Sequence, residues 1–139
     1  ATELVSFIGT GWNLGNSLDA TGGENSLYSE TSWGNPKTTK AMIDAVKAQG
    51  FNTVRVPVPW GNHTTGDNFT IDSKWLARVK EVVDYCIDND MYVILNIHHD
   101  TSTQYYYPSS TYNTVGEIRK INMDAGSKVF QGLRPASCI

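Results

Sequence analysis

Two apolar runs constrain this chain more than anything else in it. One is Phe51 to Val58, rich in β-branched residues and closed by Pro59; the other is Met91 to Ile97, nearly unbroken in apolar residues. Runs without polar alternation suit strands buried on both faces, and such strands belong to parallel sheets covered by helices. The stretch between them has a different period. Leu76, Val79, Val83, Cys86 and Ile87 form one helical stripe, while Lys74, Lys80, Glu81, Asp84 and Asp88 fall largely away from it. Asp72 or Ser73 is placed to cap that helix. Strand, helix and strand in this order predict parallel neighbours joined by a right-handed crossover.

The same alternation is legible upstream. Phe7 to Trp12 reads as a short strand, and Asn13 to Trp33 as a loop able to carry binding chemistry. Asn35 and Pro36 give an N-cap and first-turn signal, Ala41, Met42, Ala45, Val46 and Ala48 follow at helical spacing, and Gly50 supplies a stop. The order β-α-β-α-β predicts an α/β architecture with parallel strands, about three β/α units in extent. With 139 residues, 40% of them hydrophobic, the chain has enough apolar surface for one core, so a single domain over 1–139 is expected. After Asn113 the pattern weakens to a helical spacing at Val115, Ile118, Ile121, Ala125 and Val129, broken by Gly116 and Gly126.

A formal charge of −3 with no Lys/Arg run gives no electrostatic footprint for nucleic acid or an anionic membrane. No apolar stretch approaches the ~20 residues of a membrane span, and the start at Ala1 has no basic region leading into an apolar one, as in an already processed chain. Of the two cysteines, Cys86 falls on the apolar side of its helix, where a buried free thiol is expected, and Cys138 lies in the tail.

Chemistry concentrates at a few positions. Arg55 lies inside Val54-Arg55-Val56-Pro57-Val58, and by strand alternation the three valines face the helices while Arg55 faces the other way. A guanidinium in a buried strand demands a carboxylate or several carbonyl partners. In Asn96-Ile97-His98-His99-Asp100, Asn96 and His98 share one face and His99 takes the opposite one, at the carboxyl end of the strand where parallel α/β sheets bind ligands. Arg55 and His98 are therefore expected to converge. The His-His-Asp run has neither the geometry of a metal site nor a His-Glu-x-x-His companion, and the early glycines do not reproduce a dinucleotide spacing, so neither metal nor cofactor is expected. Trp33 and Trp60 flank loops and suit the apolar face of a sugar ring, with Tyr105, Tyr106 and Tyr107 as further aromatics; Trp75 on the helix stripe reads as core.

Four ordered blocks resemble bacterial endoglucanases of glycoside hydrolase family 5. They are Gly11-Trp12-Asn13-Leu14-Gly15-Asn16-Ser17-Leu18-Asp19-Ala20, Glu30-Thr31-Ser32-Trp33-Gly34-Asn35-Pro36, Gly50-Phe51-Asn52-Thr53-Val54-Arg55-Val56-Pro57-Val58-Pro59-Trp60 and Asn96-Ile97-His98-His99-Asp100. The resemblance covers about residues 5–112 and implies a partial (β/α)8 TIM-type barrel, from a family of retaining β-glycanases acting on cellulose and related β-1,4-glucans. It implies that Arg55 supports the nucleophile, that His98 lines the site, and that Asn16, Trp33, His99 and Trp60 contact sugar. It also implies an acid/base glutamate after an asparagine at the end of strand four and a nucleophile glutamate on strand seven, and the sequence contains no Asn-Glu-Pro. Remaining carboxylates near strand ends are Glu30 and Asp100, with Asp19 and Asp67 behind them.

The resulting expectation is a secreted, extracellular bacterial hydrolase of β-1,4-glucan on a truncated barrel domain. A non-catalytic glucan-binding fragment and an inert truncated product are the alternatives. Three strands cannot close a barrel, so copies are expected to associate as a homo-oligomer that completes or covers the open face.

Overall fold

The computed structural model describes residues 6–22, 27–65, 70–98 and 129–132. In chain order the elements are β1 (Gly11–Asn13), α1 (Lys40–Ala48), β2 (Thr53–Val58), β3 (Thr64–Thr65), β4 (Thr70–Ile71), α2 (Ser73–Ile87), β5 (Tyr92–Ile97) and β6 (Val129–Gly132), with short 3-10 turns at Leu27–Thr31 and Gly61–His63. The strands β1, β2, β5 and β6 lie side by side in that order, every pair parallel. A two-residue antiparallel ribbon of β3 and β4 stands apart from them.

One face of the sheet carries the core. Val54, Val56 and Val58 of β2 and Val93 and Leu95 of β5 are fully buried, packed with Ile43 of α1 and Val79, Val82, Val83 and Cys86 of α2. Each such side chain contributes about 1.5–3 kcal/mol relative to exposure. The expected stripe of α2 is therefore real, and Asp72 caps it, its carboxylate accepting from the amides of Lys74 and Trp75 at 2.8 and 3.0 Å. Cys86 donates its Sγ–H to the Val82 carbonyl, and burial pushes its thiol up to about 12, which removes its nucleophilic form at neutral pH. Cys138 lies outside the described residues.

Three boundaries differ from the sequence expectation. The first strand is not Phe7 to Trp12: residues 6–8 form a helical turn, Phe7 is exposed, and pairing begins at Gly11. Gly9 makes the turn at φ 59°, where a Cβ would lie 2.9 Å from Asn52 Nδ2, and the chain is pinned there by Asn52 N–H donating to the Thr10 carbonyl and Thr53 Oγ1 to that of Ile8. The first helix is not capped at Asn35. It starts at Lys40 with Thr39 as cap, because the carbonyl of Thr38 is claimed by Arg78 and its amide by Glu30 before a helix can use them. Lastly, Val129 belongs to a strand rather than to a helical tail, so the sheet has a fourth parallel strand beyond the three expected. The architecture is the partial (β/α)8 barrel type, about three β/α units followed by that strand.

Candidate active site

Strand register decides which side chains share the face away from the helices. Asn13, Arg55 and Ile94 stand in one row across β1, β2 and β5, and Pro57 and Asn96 in the next. Continuing the alternation, His98 falls on the same face just past β5, where its amide extends the ladder by donating to the Val58 carbonyl at 2.9 Å. Arg55 and His98 thus lie on one face, without the close convergence expected. They are four residues apart along the register, roughly 13 Å at the rise of a strand, with Pro57 and Asn96 between.

Of the partners expected for Arg55, a carboxylate or several carbonyls, the described residues supply one side-chain amide carbonyl. Its Nη1 donates to Asn13 Oδ1 at 2.6 Å, and among the described residues no Asp or Glu pairs with it. Half-buried on an open face rather than sealed in a core, the guanidinium satisfies part of its fork with a neutral amide. Asn13 is itself confined, because a Cβ on Gly15 would lie 2.7 Å from its Nδ2.

Above the strand ends sits the loop that follows β1. Asn16 adopts φ 57°, a left-handed conformation that asparagine tolerates, and its side chain is exposed. That turn folds Leu14, Ser17, Leu18, Asp19 and Ala20 inward, all buried. Asp19 accepts from the Ser17 amide through Oδ1 at 2.9 Å, and its Oδ2 lies 3.9 Å from Nε2 of His98, whose side chain is one-third exposed. Trp33 projects from the same region with 44% of its surface exposed, and its Nε1–H donates to the Thr21 carbonyl at 2.7 Å. An aromatic plate fixed by its polar edge and open on its face is suited to stacking against a sugar.

Two other candidates take structural positions. Trp60 is only 1% exposed and belongs to the apolar core, so its ring has no face open to a sugar, which corrects the expected contact. Glu30, also 1% exposed, faces Arg78 of α2 in a bidentate pair, Nε to Oε2 at 2.9 Å and Nη2 to Oε1 at 2.8 Å, while Oε1 also accepts from the Thr38 amide at 2.8 Å. Glu81 takes the remaining Arg78 nitrogen at 2.7 Å. With both oxygens held by a guanidinium in the helix layer, Glu30 is an anchor between the 3-10 turn, the segment before α1 and α2, and not a free acid near the sheet's inner face. The buried arginine that truly needs a carboxylate is Arg78, which the sequence reading passed over. Its spacing from Trp75 (i, i+3) and Val82 (i, i+4) on the buried side of α2 was the available signal. His99, Asp100, Asp67 and Tyr105 to Tyr107 lie outside the described residues.

His63 was also missed. It is buried, stacked on Trp75 with ring centroids 3.6 Å apart, and burial lowers it to about 4, leaving a neutral ring whose Nε2 sits 3.5 Å from Ser29 Oγ. Among the described residues no three His, Cys, Asp or Glu side chains gather as a metal site requires, and no helix is long and apolar enough to cross a membrane. The fourth strand adds one further fact. From Val129 to Ile139 the sequence contains no Asp or Glu, so β6 brings no acid to the position next to Asn96.

Known proteins share this geometry. The family profile of cellulase (glycosyl hydrolase family 5) matches residues 18–127. The chain is 58% identical over 102 residues to endoglucanase A of Ruminococcus albus, covering 72% of this chain and 28% of that protein. It is 53% identical over 105 residues to endoglucanase A of Clostridium longisporum, covering 72% of this chain and 20% of that one. The chain thus spans less than a third of the length of these relatives. Among solved structures, it superposes on a broad-specificity endoglucanase from Ruminococcus flavefaciens with TM-score 0.83 at 50% identity, over 94% of this chain and 40% of the other. A xyloglucan-specific endo-β-1,4-glucanase from a metagenomic library, in complex with cellotriose, gives TM-score 0.78 at 44% identity, over 94% and 41%. The row of Asn13, Arg55 and Ile94 thus sits on the inner face of an incipient β/α barrel, and the chain belongs to glycoside hydrolase family 5.

Proposed function

We propose that this chain acts in the hydrolysis of β-1,4-glucan, forming the glucan-binding side of a family 5 active site. The observation that carries this reading is the common sheet face of Arg55 and His98, beneath a loop that presents the open ring of Trp33. A pyranose stacks its apolar face on such a ring while polar groups at the strand ends bond its hydroxyls. Exposed Asn16 extends that contact surface, and His99 is added as a sugar contact from the family resemblance alone. Asn96 adds an acceptor: its Oδ1 is buried with no hydrogen-bond partner among the described residues.

In this reading Arg55 holds a carboxylate nucleophile and His98 contacts the sugar nearest the scissile bond. Retaining hydrolysis needs two carboxyls about 5–5.5 Å apart. The described residues supply the binding wall, with Glu30 anchored in the helix layer, and the open sheet face is covered by association with another barrel portion, a second copy included. Asp100, with Asp19 and Asp67 behind it, remains a candidate acid on this chain. Binding without cleavage is the competing reading. An extracellular setting is consistent with an insoluble polymeric substrate, and the relatives named above come from bacteria.

Reducing-sugar release from carboxymethylcellulose, run beside cellotetraose titration by calorimetry, tests the proposal. Binding should weaken at least several-fold in Trp33→Ala and in His98→Ala. Sugar release should fall with it and should track the associated form resolved by light scattering. Binding indifferent to both substitutions would overturn the site. Binding with no release in any associated state would leave a glucan-binding fragment.

A further inference from the structure

We propose that the main-chain carbonyl of Thr21 is a positioning group for Trp33. It holds the indole by its polar edge, so that the ring is oriented for stacking on a pyranose before any glucan arrives. The role of the ring as a glucan platform rests on the function proposed above; the clasp itself stands on geometry.

Apolar packing does not hold this tryptophan. Thr31, Ser32, Trp33 and Gly34 are all exposed, and Trp33 is not one of the partly buried residues that pack against the core. Its edge is held by a short bond, Nε1–H to the Thr21 carbonyl at 2.7 Å. An indole has a single N–H and no other donor, so its whole donor capacity is committed to this carbonyl. Trp75 makes the contrast. It is sealed in the core, and its Nε1 has no hydrogen-bond partner among the described residues. The Trp33 edge lies at the surface, where water serves an N–H almost as well as a protein acceptor does. A carbonyl at that place therefore adds direction more than satisfaction.

Both sides of the clasp are anchored. Ser17, Leu18, Asp19 and Ala20 are buried, and the Ala20 amide donates to the Ser17 carbonyl at 3.0 Å, so Thr21 follows directly on a packed turn. Across from it, Ser32 Oγ donates to the Ser29 carbonyl at 2.8 Å and lies 3.2 Å from that of Thr21, and Asn35 Nδ2 donates to the Gly15 carbonyl at 3.3 Å. The Trp33 segment is thus tied to the loop after β1 at two carbonyls, Gly15 and Thr21. Ordering a mobile side chain on binding weakens affinity by about 2–10-fold, a loss that a ring already fixed avoids.

Proton–nitrogen NMR of the intact chain reads the clasp without any glucan. Four tryptophans should give four indole N–H signals, and Trp33→Phe identifies the one from Trp33. That proton should exchange with water at least about ten-fold more slowly than in the urea-unfolded chain. Replacing Trp33 by benzothienylalanine keeps a bicyclic aromatic face and exchanges the N–H for sulfur. Calorimetric titration of that chain with cellotetraose should show affinity lower by about 2–10-fold, with urea unfolding unchanged. A Trp33 N–H that exchanges as fast as in the unfolded chain overturns the clasp, even if the substituted chain fails to fold. So does a folded benzothienylalanine chain that binds cellotetraose as tightly as the unaltered one. A protected N–H in a chain that binds no cellotetraose would sink the glucan site and leave the clasp intact.

Discussion

The two faces of the sheet are built to different standards. Toward the helices, Val54, Val56, Val58, Val93 and Leu95 are sealed, and the charged groups in that layer are saturated, with Arg78 held by Glu30, Glu81 and the Thr38 carbonyl. On the other face Asn13, Arg55, Ile94, Asn96 and His98 are only partly covered, and Arg55 has one amide partner where Arg78 has two carboxylates. The contrast teaches where each residue's work lies. Groups in the helix layer hold the fold, and the proposed glucan site draws on the less covered inner face.

The largest effect that sharpens this contrast is expected from Glu30→Ala. Removing it strips a buried guanidinium of its bidentate partner and also releases the Thr38 amide, and unpairing a buried charge costs about 3–5 kcal/mol. Urea denaturation should show the loss, whereas a true acid catalyst would show lost turnover with little change in stability. Next comes a pair of neighbours on β5. Leu95→Ala opens a cavity in the sealed face and should cost about 2–5 kcal/mol, while Ile94→Ala, one residue away on the half-covered face, should stay within about 1 kcal/mol. Equal costs would mean that the inner face is packed as tightly as the outer.

His63 gives a pH test of the sealed side. Its folded value of about 4 lies below the ordinary 6.5 because burial disfavours the charged ring, so the unfolded chain binds more protons and acid favours it. The stability that the neutral ring allows is complete above pH 6.5 and is lost as pH falls toward 4, on the order of 2–3 kcal/mol in all. Circular dichroism during urea unfolding at pH 7, 5.5 and 4 should follow that slope, and His63→Gln should flatten it. A slope unchanged in the variant would show that other groups drive the acid response.

What could be read in the sequence follows the same division. β2, β5 and α2 were legible because burial on the helix side writes itself as β-branched runs and an amphipathic stripe. The helix start at Lys40 was not, since Pro36 carries a local signal that the Glu30–Arg78 pair overrides across 48 positions of chain, and no local pattern reports such a pair. β6 was hidden for a related reason: Val129 fits a helical spacing with Ile121 and Ala125, and only pairing with β5 selects the extended form. At the site, the shared face of Arg55 and His98 came from parity alone. Trp33 and Trp60 looked equivalent as loop-flanking aromatics, and burial separated them. Asn13 as the arginine's partner needed the register of two strands.

Gly15 offers the smallest and most discriminating test of the inner face. Its amide lies just past β1, and an added Cβ would meet Asn13 Nδ2 at 2.7 Å, closer than side chains tolerate. The amide is the far end of a short side chain, so the backbone need not move; Asn13 would swing away from Arg55 and give up the 2.6 Å hydrogen bond. Folding should barely respond, because neither group belongs to the core. Cellotetraose affinity should fall by about 2–10-fold, the equivalent of one hydrogen bond worth roughly 0.5–1.5 kcal/mol, and Asn13→Ala should show the same loss. If both variants bind as tightly as the unaltered chain, the pairing of Asn13 with Arg55 steadies the strand ends without shaping the glucan site. If Gly15→Ala unfolds the protein, the inner face is a core after all and the contrast between the two faces fails.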